Sequence, residues 1–159
     1  MHGANRTGRP FTGDHAGILL YRTLHDTGFA TRAASTGPGD GLRLLDCRIS
    51  NAVKCLPPGN KPEPDEVIRC NRYLVREIDA LLPGAVIVAL GRVAHGAILK
   101  ALSLKPGTCR FAHGAEYRLP GGRMLLDSYH CSRLNTNTGR LTPAMFRRVF
   151  ARARHLIAG

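Results

Sequence analysis

The sequence predicts an α/β fold, a single domain in which a mainly parallel sheet is flanked by helices. Segments with apolar residues at helical spacing alternate along the chain with short, continuous apolar runs, which is the pattern of strands covered by helices. In addition, 159 residues are enough for one hydrophobic core and few for two.

The first half of the chain is expected to contain two helices and a strand. Helical spacing of apolar residues begins at Asp14, with Thr12 or Asp14 itself as the N-cap. Residues 42–55 are predicted to form a strand that ends in a loop. After a proline-rich turn, Pro62 or Pro64 is expected to start the second helix, because proline is favoured in the first helical turn.

The second half is expected to add two strands and two helices. The continuous apolar run AVIVAL at 85–90 predicts a buried strand, and a helix over 93–102 follows it directly. Residues 105–119 are expected to be irregular or hairpin-like, and residues 123–129 form the last predicted strand. The Thr-Pro pair at 142–143 supplies an N-cap and a first-turn proline for the final helix.

A polar stretch joins the last predicted strand to the final helix. Its Ser, Thr, Asn and Gly residues favour turns, so we expect a loop at the carboxyl end of a strand, where ligands of open α/β sheets bind. His130 opens this loop, and Arg133 and Arg140 lie within it. These donors and cations suit an anion or a phosphate backbone, whereas composition alone also fits a solvated surface loop.

The charge of the chain indicates a polyanionic partner. The formal net charge is +12, and 19 of the 23 basic residues are arginine, whose planar fork suits phosphate groups. We therefore expect binding to nucleic acid. The alternative is an arginine-rich composition that serves solubility.

Several classes of protein are disfavoured by what the sequence lacks. Neither GxGxxG after a strand nor GxxxxGK[ST] occurs, so an ATP or NAD site is not expected. No apolar stretch of about 18 residues suggests a membrane span. The amino terminus lacks the apolar core of a signal peptide, and the five cysteines are irregularly spaced, so a cytoplasmic location is expected.

Three residues carry weaker signals. Asn51, expected at a strand end, offers the donor and acceptor that read one edge of a base, but it also suits a turn. Cys55 and Cys70 lie fifteen residues apart and could share a metal ion, although two ligands do not complete a site. A buried free thiol is the alternative for each cysteine.

Four stretches together resemble the uracil-DNA glycosylase superfamily, and within it the family 5, or B-type, enzymes. They are HGANRTGRPFTGD at 2–14, ISNAVKCLPPGNKPEPDE at 49–66, VALG at 88–91 and SYHCSRLNTNTGRLT at 128–142. The resemblance implies a three-layer α/β sandwich with a mainly parallel central sheet. It also implies a base-excision repair enzyme that flips uracil out of DNA and hydrolyses its N-glycosidic bond. The range of deaminated bases beyond uracil stays open.

The resemblance assigns roles to individual residues. Phe11 matches the aromatic residue on which the flipped base stacks, and Asn51 matches the asparagine that binds the pyrimidine edge. His130 matches the histidine that bonds the uracil O2 and stabilises the departing base. Asn5 lies near the position from which such enzymes hold the attacking water.

The resemblance also predicts the contacts with the duplex. Ser132 and Arg133 match the loop that presses into DNA, and Arg140, beyond the TNTG stretch, is expected to contact phosphate. Cys131 stands where the family has a proline, so a looser loop is expected. The implied partner is DNA that contains uracil or other deaminated bases, bound by a cytoplasmic, nucleoid-associated monomer without a membrane segment.

The family's [4Fe–4S] cluster is a point of difference. Cys55 and Cys70 match two of its ligands, whereas the other two precede the HGANR motif in the family. We therefore expect the iron–sulfur cluster to be absent or incomplete, and the first strand of the fold to be missing upstream of Met1. The alternatives are a catalytically weak DNA-binding remnant of the family and a small metal-binding protein that uses Cys55 and Cys70.

Overall fold

The computed structural model describes residues 8–52 and 64–159, without the side chains at 64 and 66–70. Contacts divide the chain into two compact units. In the described residues, the first unit comprises 8–50 and 129–159, and the second comprises 51–52 and 64–128. The expectation of a single domain stays a prediction.

The described chain contains five helices, three strands and one 3₁₀ turn. In chain order they are α1 (His15–Asp26), α2 (Pro64–Asp79), β1 (Val86–Leu90), α3 (Arg92–Ala101), β2 (Glu116–Arg118), the 3₁₀ turn Pro120–Gly122, β3 (Met124–Ser128), α4 (Arg133–Asn137) and α5 (Pro143–Ala158). Within residues 8–52 and 64–159, no helix is long and apolar enough to cross a membrane.

The first unit is built on the packing of α1 against α5. Asp14 caps α1, because its side chain accepts a hydrogen bond from the Gly17 N–H. Thr142 caps α5 in the same way, and Pro143 occupies its first turn. Both predicted helix starts are confirmed. The buried side chains of these two helices include Leu20, Tyr21, Leu24, Phe146, Val149, Phe150 and Ala153.

The second unit contains a three-stranded sheet in the order β1-β3-β2. Strand β1 runs parallel to β3, with Val88 opposite Leu126, whereas β2 runs antiparallel to β3. The described sheet is therefore mixed rather than mainly parallel. Residues 105–115 contain no helix or strand, which confirms the irregular alternative there, whereas β2 at 116–118 pairs with β3 beyond the predicted range. The strands predicted at 85–90 and 123–129 are present as β1 and β3.

Two helices cover this sheet. Helix α3 packs on β1, and α2 packs on α3. Gly91 turns β1 directly into α3, and it does so at φ 95°, a backbone conformation that residues with a Cβ rarely adopt. The core of the unit comprises Leu74, Ile78, Ala89, Ala97, Ile98, Leu99, Cys109, Leu119 and Leu125.

The strand predicted over residues 42–55 is wrong for the part that the structure describes. Residues 42–52 contain only one isolated bridge, between Leu44 and Ala30. Asp46 adopts φ 54°, in the left-handed region, which interrupts the extended backbone just beyond this bridge. Asn51 therefore does not lie at a strand end, and residues 53–55 lie outside the description.

The loop predicted after β3 is wrong in part, because it contains the short helix α4. The Ser132 side chain accepts a hydrogen bond from the Asn135 N–H, and the Thr136 hydroxyl donates to the Ser132 carbonyl. These local bonds satisfy backbone and side-chain groups that a loop would leave to water. A polar composition that is typical of turns thus forms one capped turn of helix.

Candidate functional site

The first unit brings together two of the predicted site residues, Phe11 and His130. Their ring centroids lie 5.9 Å apart, and the ring planes are tilted by 36°. Both side chains are half-buried. An aromatic face beside an imidazole N–H offers the stacking and hydrogen bonding by which proteins hold an extruded base.

The loop that carries Phe11 is anchored by an ion pair. Arg9 Nη1 lies 3.0 Å from Asp40 Oδ1, and the same nitrogen donates to the Ser35 hydroxyl at 2.8 Å. Hydrogen bonds from the Leu42 N–H and the Ser35 hydroxyl hold the pKa of Asp40 well below its usual range. Asp40 therefore stays ionised and ties the loop to the connector at 35–42.

The environment of His130 keeps its ring neutral. Burial lowers the pKa of His130, and the negative charge of Asp14 opposes that shift without reversing it. No hydrogen bond between residues of the described chain uses a ring nitrogen of His130. The backbone is held instead, because Asn135 Nδ2 donates to the His130 carbonyl at 2.8 Å. The ring can thus donate one N–H to a ligand at neutral pH.

Asp14 is a site residue that sequence reasoning assigned only to a helix cap. One carboxylate oxygen accepts from the Gly17 N–H at 2.9 Å, and the charge of the group acts on His130. The side chain is exposed. A carboxylate here can orient a water molecule or stabilise a positive charge. The signal was present in the sequence, because Asp14 is the only acidic residue in the motif at 2–14.

Helix α4 presents an exposed cation beside an exposed apolar side chain. Arg133 is exposed, and Leu134 is 72% exposed. Ser132 is half-buried and caps the helix, which is a structural role beside its predicted DNA contact. Sequence reasoning missed Leu134, which is exposed, whereas Leu141 at the end of the same polar stretch is buried. Exposed apolar side chains of this kind can insert between bases.

Arg140 is held at the surface by an aromatic ring. Its guanidinium lies 4.7 Å from the centroid of the Tyr129 ring, a cation–π contact, and the arginine is exposed. In addition, His15 Nε2 and the Thr136 hydroxyl lie 3.1 Å apart and join α1 to α4. These contacts fix the segment that carries Arg133.

Four other residues were singled out by the sequence, and the structure describes only Asn51 and the backbone of Cys70 among them. Asn51 is half-buried in irregular backbone and belongs to the second unit. Asn5 and Cys55 lie outside the described residues, so their roles stay predictions. Cys70 lies in α2, and its side chain is likewise outside the description.

The described side chains do not fit an iron–sulfur ligand set. In the part of the chain that the structure describes, no group of three or more His, Cys, Asp or Glu residues could hold a metal ion. Burial raises the pKa of Cys47 and Cys109, and that of Cys131 to about 12. A thiol that stays protonated is a poor ligand, because metals bind the thiolate.

A second polar constellation, unforeseen from the sequence, lies in the second unit. His95 Nδ1 is 2.8 Å from Asp127 Oδ1, and His95 Nε2 is 3.0 Å from the Cys109 carbonyl. Both residues are buried. Burial raises the pKa of Asp127, and the hydrogen bond from His95 opposes that shift. Because both ring nitrogens are occupied, this pair joins β3, α3 and the segment at 109 rather than presenting a reactive group.

Comparisons with known proteins identify the family of the chain. The Uracil DNA glycosylase superfamily model matches residues 1–154. A Type-5 uracil-DNA glycosylase of Thermus thermophilus is 50% identical over 155 residues, which are 98% of this chain and 70% of that protein. The Type-5 enzyme of Pyrobaculum aerophilum is 43% identical over 96% of this chain and 66% of its own length.

A Type-5 uracil-DNA glycosylase of Mycobacterium tuberculosis is 44% identical over 98% of this chain and 59% of its own length. The chain thus spans between about three fifths and seven tenths of these relatives. The matched region contains every site residue named above. The chain belongs to the uracil DNA glycosylase superfamily.

Proposed function

We propose that the protein is a uracil-DNA glycosylase of the Type-5 kind, which removes uracil from DNA as the first step of base-excision repair. The observation that carries the proposal is the pairing of the Phe11 and His130 rings 5.9 Å apart. The family match over residues 1–154 and the relatives named Type-5 uracil-DNA glycosylases support it.

Base capture is the first step of the proposed reaction. Extrusion of a nucleotide costs a few kcal/mol, which stacking and edge contacts in the enzyme offset. Phe11 provides the stacking face. Asn51 provides the amide that binds the pyrimidine edge, a role that rests on the resemblance and on no contact in the described chain.

Bond cleavage is the second step. The bond between C1′ of the sugar and N1 of uracil breaks, and its electron pair leaves with the base. Negative charge therefore develops on the uracil oxygens, and the neutral His130 ring donates its N–H to the O2 atom. A donor held in place before the reaction stabilises such an anion without reorganising, which is a large term in catalysis.

Water completes the hydrolysis. Its oxygen bonds to C1′, and the one proton that the water loses balances the one proton that the uracil anion takes up as it leaves. Asn5 is proposed to hold this water. We add Asp14, because its carboxylate already acts on His130 and would also stabilise the positive sugar.

The proposed contacts with the DNA duplex are made by residues of the first unit. Arg133, the first residue of α4, and Arg140, beyond its end, are exposed cations that suit phosphate groups, and Ser132 adds a hydroxyl in the same segment. Leu134 is proposed to fill the space that the extruded nucleotide leaves, which is supported by its 72% exposure. The net charge of +12 favours rapid capture of DNA.

Several finer expectations remain part of this proposal. They are the three-layer sandwich, the monomeric state, the location in the cytoplasm near the nucleoid, and activity on other deaminated bases. The cluster is also included, because four thiolates normally hold one and only Cys55 and Cys70 match its ligands. Iron analysis of the purified protein should find much less than a full cluster, and a full complement of iron and sulfide would contradict this.

A uracil-release assay tests the proposed function. A labelled duplex with a single deoxyuridine should acquire an abasic site that alkali cleaves, whereas the same duplex with thymidine at that position should stay intact. Tight binding of uracil-containing DNA without any release of uracil would instead favour the DNA-binding remnant.

A further inference from the structure

The backbone of Phe11 is held in a conformation that an aromatic residue seldom adopts. Its φ is 57°, in the left-handed region, where the Cβ crowds the backbone and which glycine tolerates best. Such a conformation persists only where the surroundings impose it. The contacts that impose it therefore also set the direction of the Phe11 ring.

Gly17 supplies the first of these contacts. It is buried in the first turn of α1 and has no side chain, and the Phe11 carbonyl occupies the space that a side chain would fill. A Cβ at Gly17 would lie 1.6 Å from the Phe11 carbonyl oxygen and 2.7 Å from its carbonyl carbon. Neither distance is possible, so any other residue at 17 forces the Phe11 backbone to move.

Tyr21 supplies the second contact, one helical turn further along α1. Its ring is 1% exposed, and its hydroxyl donates to the Pro10 carbonyl at 2.7 Å. Burial raises the pKa of Tyr21, so the phenol remains a neutral donor. Two consecutive carbonyl groups, at 10 and 11, are thus fixed by two residues on one face of the same helix.

We propose that Gly17 and Tyr21 are positioning residues that aim the Phe11 ring at the extruded base, an inference that rests on the proposed function. Neither residue touches the substrate. They clamp the peptide units on both sides of the Phe11 α-carbon, and the ring is thereby kept beside His130. These two contacts affect how tightly the flipped base is bound, and they do not affect how tightly the protein binds the phosphate backbone.

The first test is Tyr21→Phe, which removes one hydroxyl and keeps the buried ring. Affinity is measured for two duplexes, one with 2′-fluoro-2′-deoxyuridine, which is not hydrolysed, and one with a tetrahydrofuran abasic site, which has no base to stack. Loss of one hydrogen bond predicts about 3–10-fold weaker binding of the fluorinated duplex and unchanged binding of the abasic duplex. Equal effects on both duplexes would contradict the clamp.

A double-mutant cycle with Phe11→Ala separates positioning from general destabilisation. Once the ring is gone, Tyr21→Phe should no longer weaken binding of the fluorinated duplex. Full additivity of the two substitutions would overturn the proposal. Tyr117→Phe is the matched control, because the Tyr117 hydroxyl also donates to a backbone carbonyl, that of Arg110, but in the second unit. Tyr117→Phe should bind both duplexes as tightly as the wild type does.

Gly17→Ala tests the other contact, with Gly96→Ala as its control, since a Cβ at Gly96 meets nothing within 4 Å. Gly17→Ala should weaken binding of the fluorinated duplex more than Tyr21→Phe does, and wild-type binding would overturn the clamp. If Gly17→Ala does not fold, the binding of the two duplexes by Tyr21→Phe alone tests the proposal. Uracil release by the wild type is measured alongside. Its absence refutes the proposed function and the clamp together, whereas release with no selective effect of Tyr21→Phe refutes the clamp alone.

Discussion

His95 in the second unit is buried and His130 in the first is half-buried, but of the two, within the described part of the chain, only His95 has hydrogen-bond partners for its ring nitrogens. Both ring nitrogens of His95 are hydrogen-bonded, to Asp127 and to the Cys109 carbonyl. The His130 ring, by contrast, faces Phe11, and its pKa is lowered by burial. A histidine whose two ring nitrogens are both hydrogen-bonded within the protein stabilises the fold. A histidine whose ring nitrogens lack such bonds is available to a ligand. The difference separates a structural histidine from a candidate catalytic one without reference to any relative.

The largest expected effect is on stability, from His95→Ala. Removal of one partner from this buried hydrogen-bonded pair leaves Asp127 Oδ1 without its bond from His95 and leaves a cavity in place of the ring, which together cost about 3–5 kcal/mol of unfolding free energy. Urea denaturation measures the loss. The folded fraction should still release uracil at the wild-type single-turnover rate. His25→Ala, which removes a histidine whose side chain is 47% exposed, is the control and should stay within about 0.5 kcal/mol of the wild type.

Asn51→Ala tests the role proposed for Asn51 in base recognition. If Asn51 binds the pyrimidine edge, the substitution should raise the barrier to excision by about 1–3 kcal/mol and leave the affinity for abasic DNA unchanged. Single-turnover rates and binding titrations on one preparation check this. Equal excision by the wild type and the variant would assign Asn51 to backbone structure alone.

Arg133→Ala tests the exposed side of the first unit. Each phosphate that a cation neutralises releases counterions, so the slope of log affinity against log salt should fall in magnitude by about 1. Affinity for uracil-containing and undamaged duplex should fall alike. Arg148→Ala removes the same charge from the exposed face of α5 and corrects for the change in net charge. Identical slopes for the two variants would remove Arg133 from the DNA contact.

The smallest effect concerns the pH dependence of stability. The pKa of folded His130 lies below its unfolded value of about 6.5, so the folded state binds fewer protons. The stability that this provides is present above pH 6.5 and is lost as the pH falls through 6.5 towards the folded pKa. Between pH 8 and pH 5, the wild type should therefore lose more unfolding free energy than His130→Ala. Parallel curves would contradict a buried, neutral His130.

The parts of the fold that could be predicted have local causes. Asp14 caps α1 and Thr142 caps α5 because the bonds that each makes lie within three residues along the chain. The strand predicted over 42–55 is wrong in its described part. Strand pairing depends on a distant partner and on the backbone at Asp46, and an apolar pattern specifies neither of them.

The same distinction holds for the site. The motifs allowed Phe11 and His130 to be named from the sequence, through the resemblance to a known family. The effect of Asp14 on His130 joins residues more than a hundred positions apart, so spacing did not reveal it. The pair of His95 and Asp127 is separated by 32 residues and was missed for the same reason.

The account depends most directly on His130, and one paired measurement tests it. Single-turnover uracil release and melting temperature are measured for the wild type and His130→Ala from the same preparations. The account predicts a rate about 10²–10³-fold lower, because a preorganised donor to the developing anion is lost, with a nearly unchanged melting temperature at pH 8. A stable His130→Ala protein that releases uracil at the wild-type rate would contradict the proposed role of His130 in catalysis.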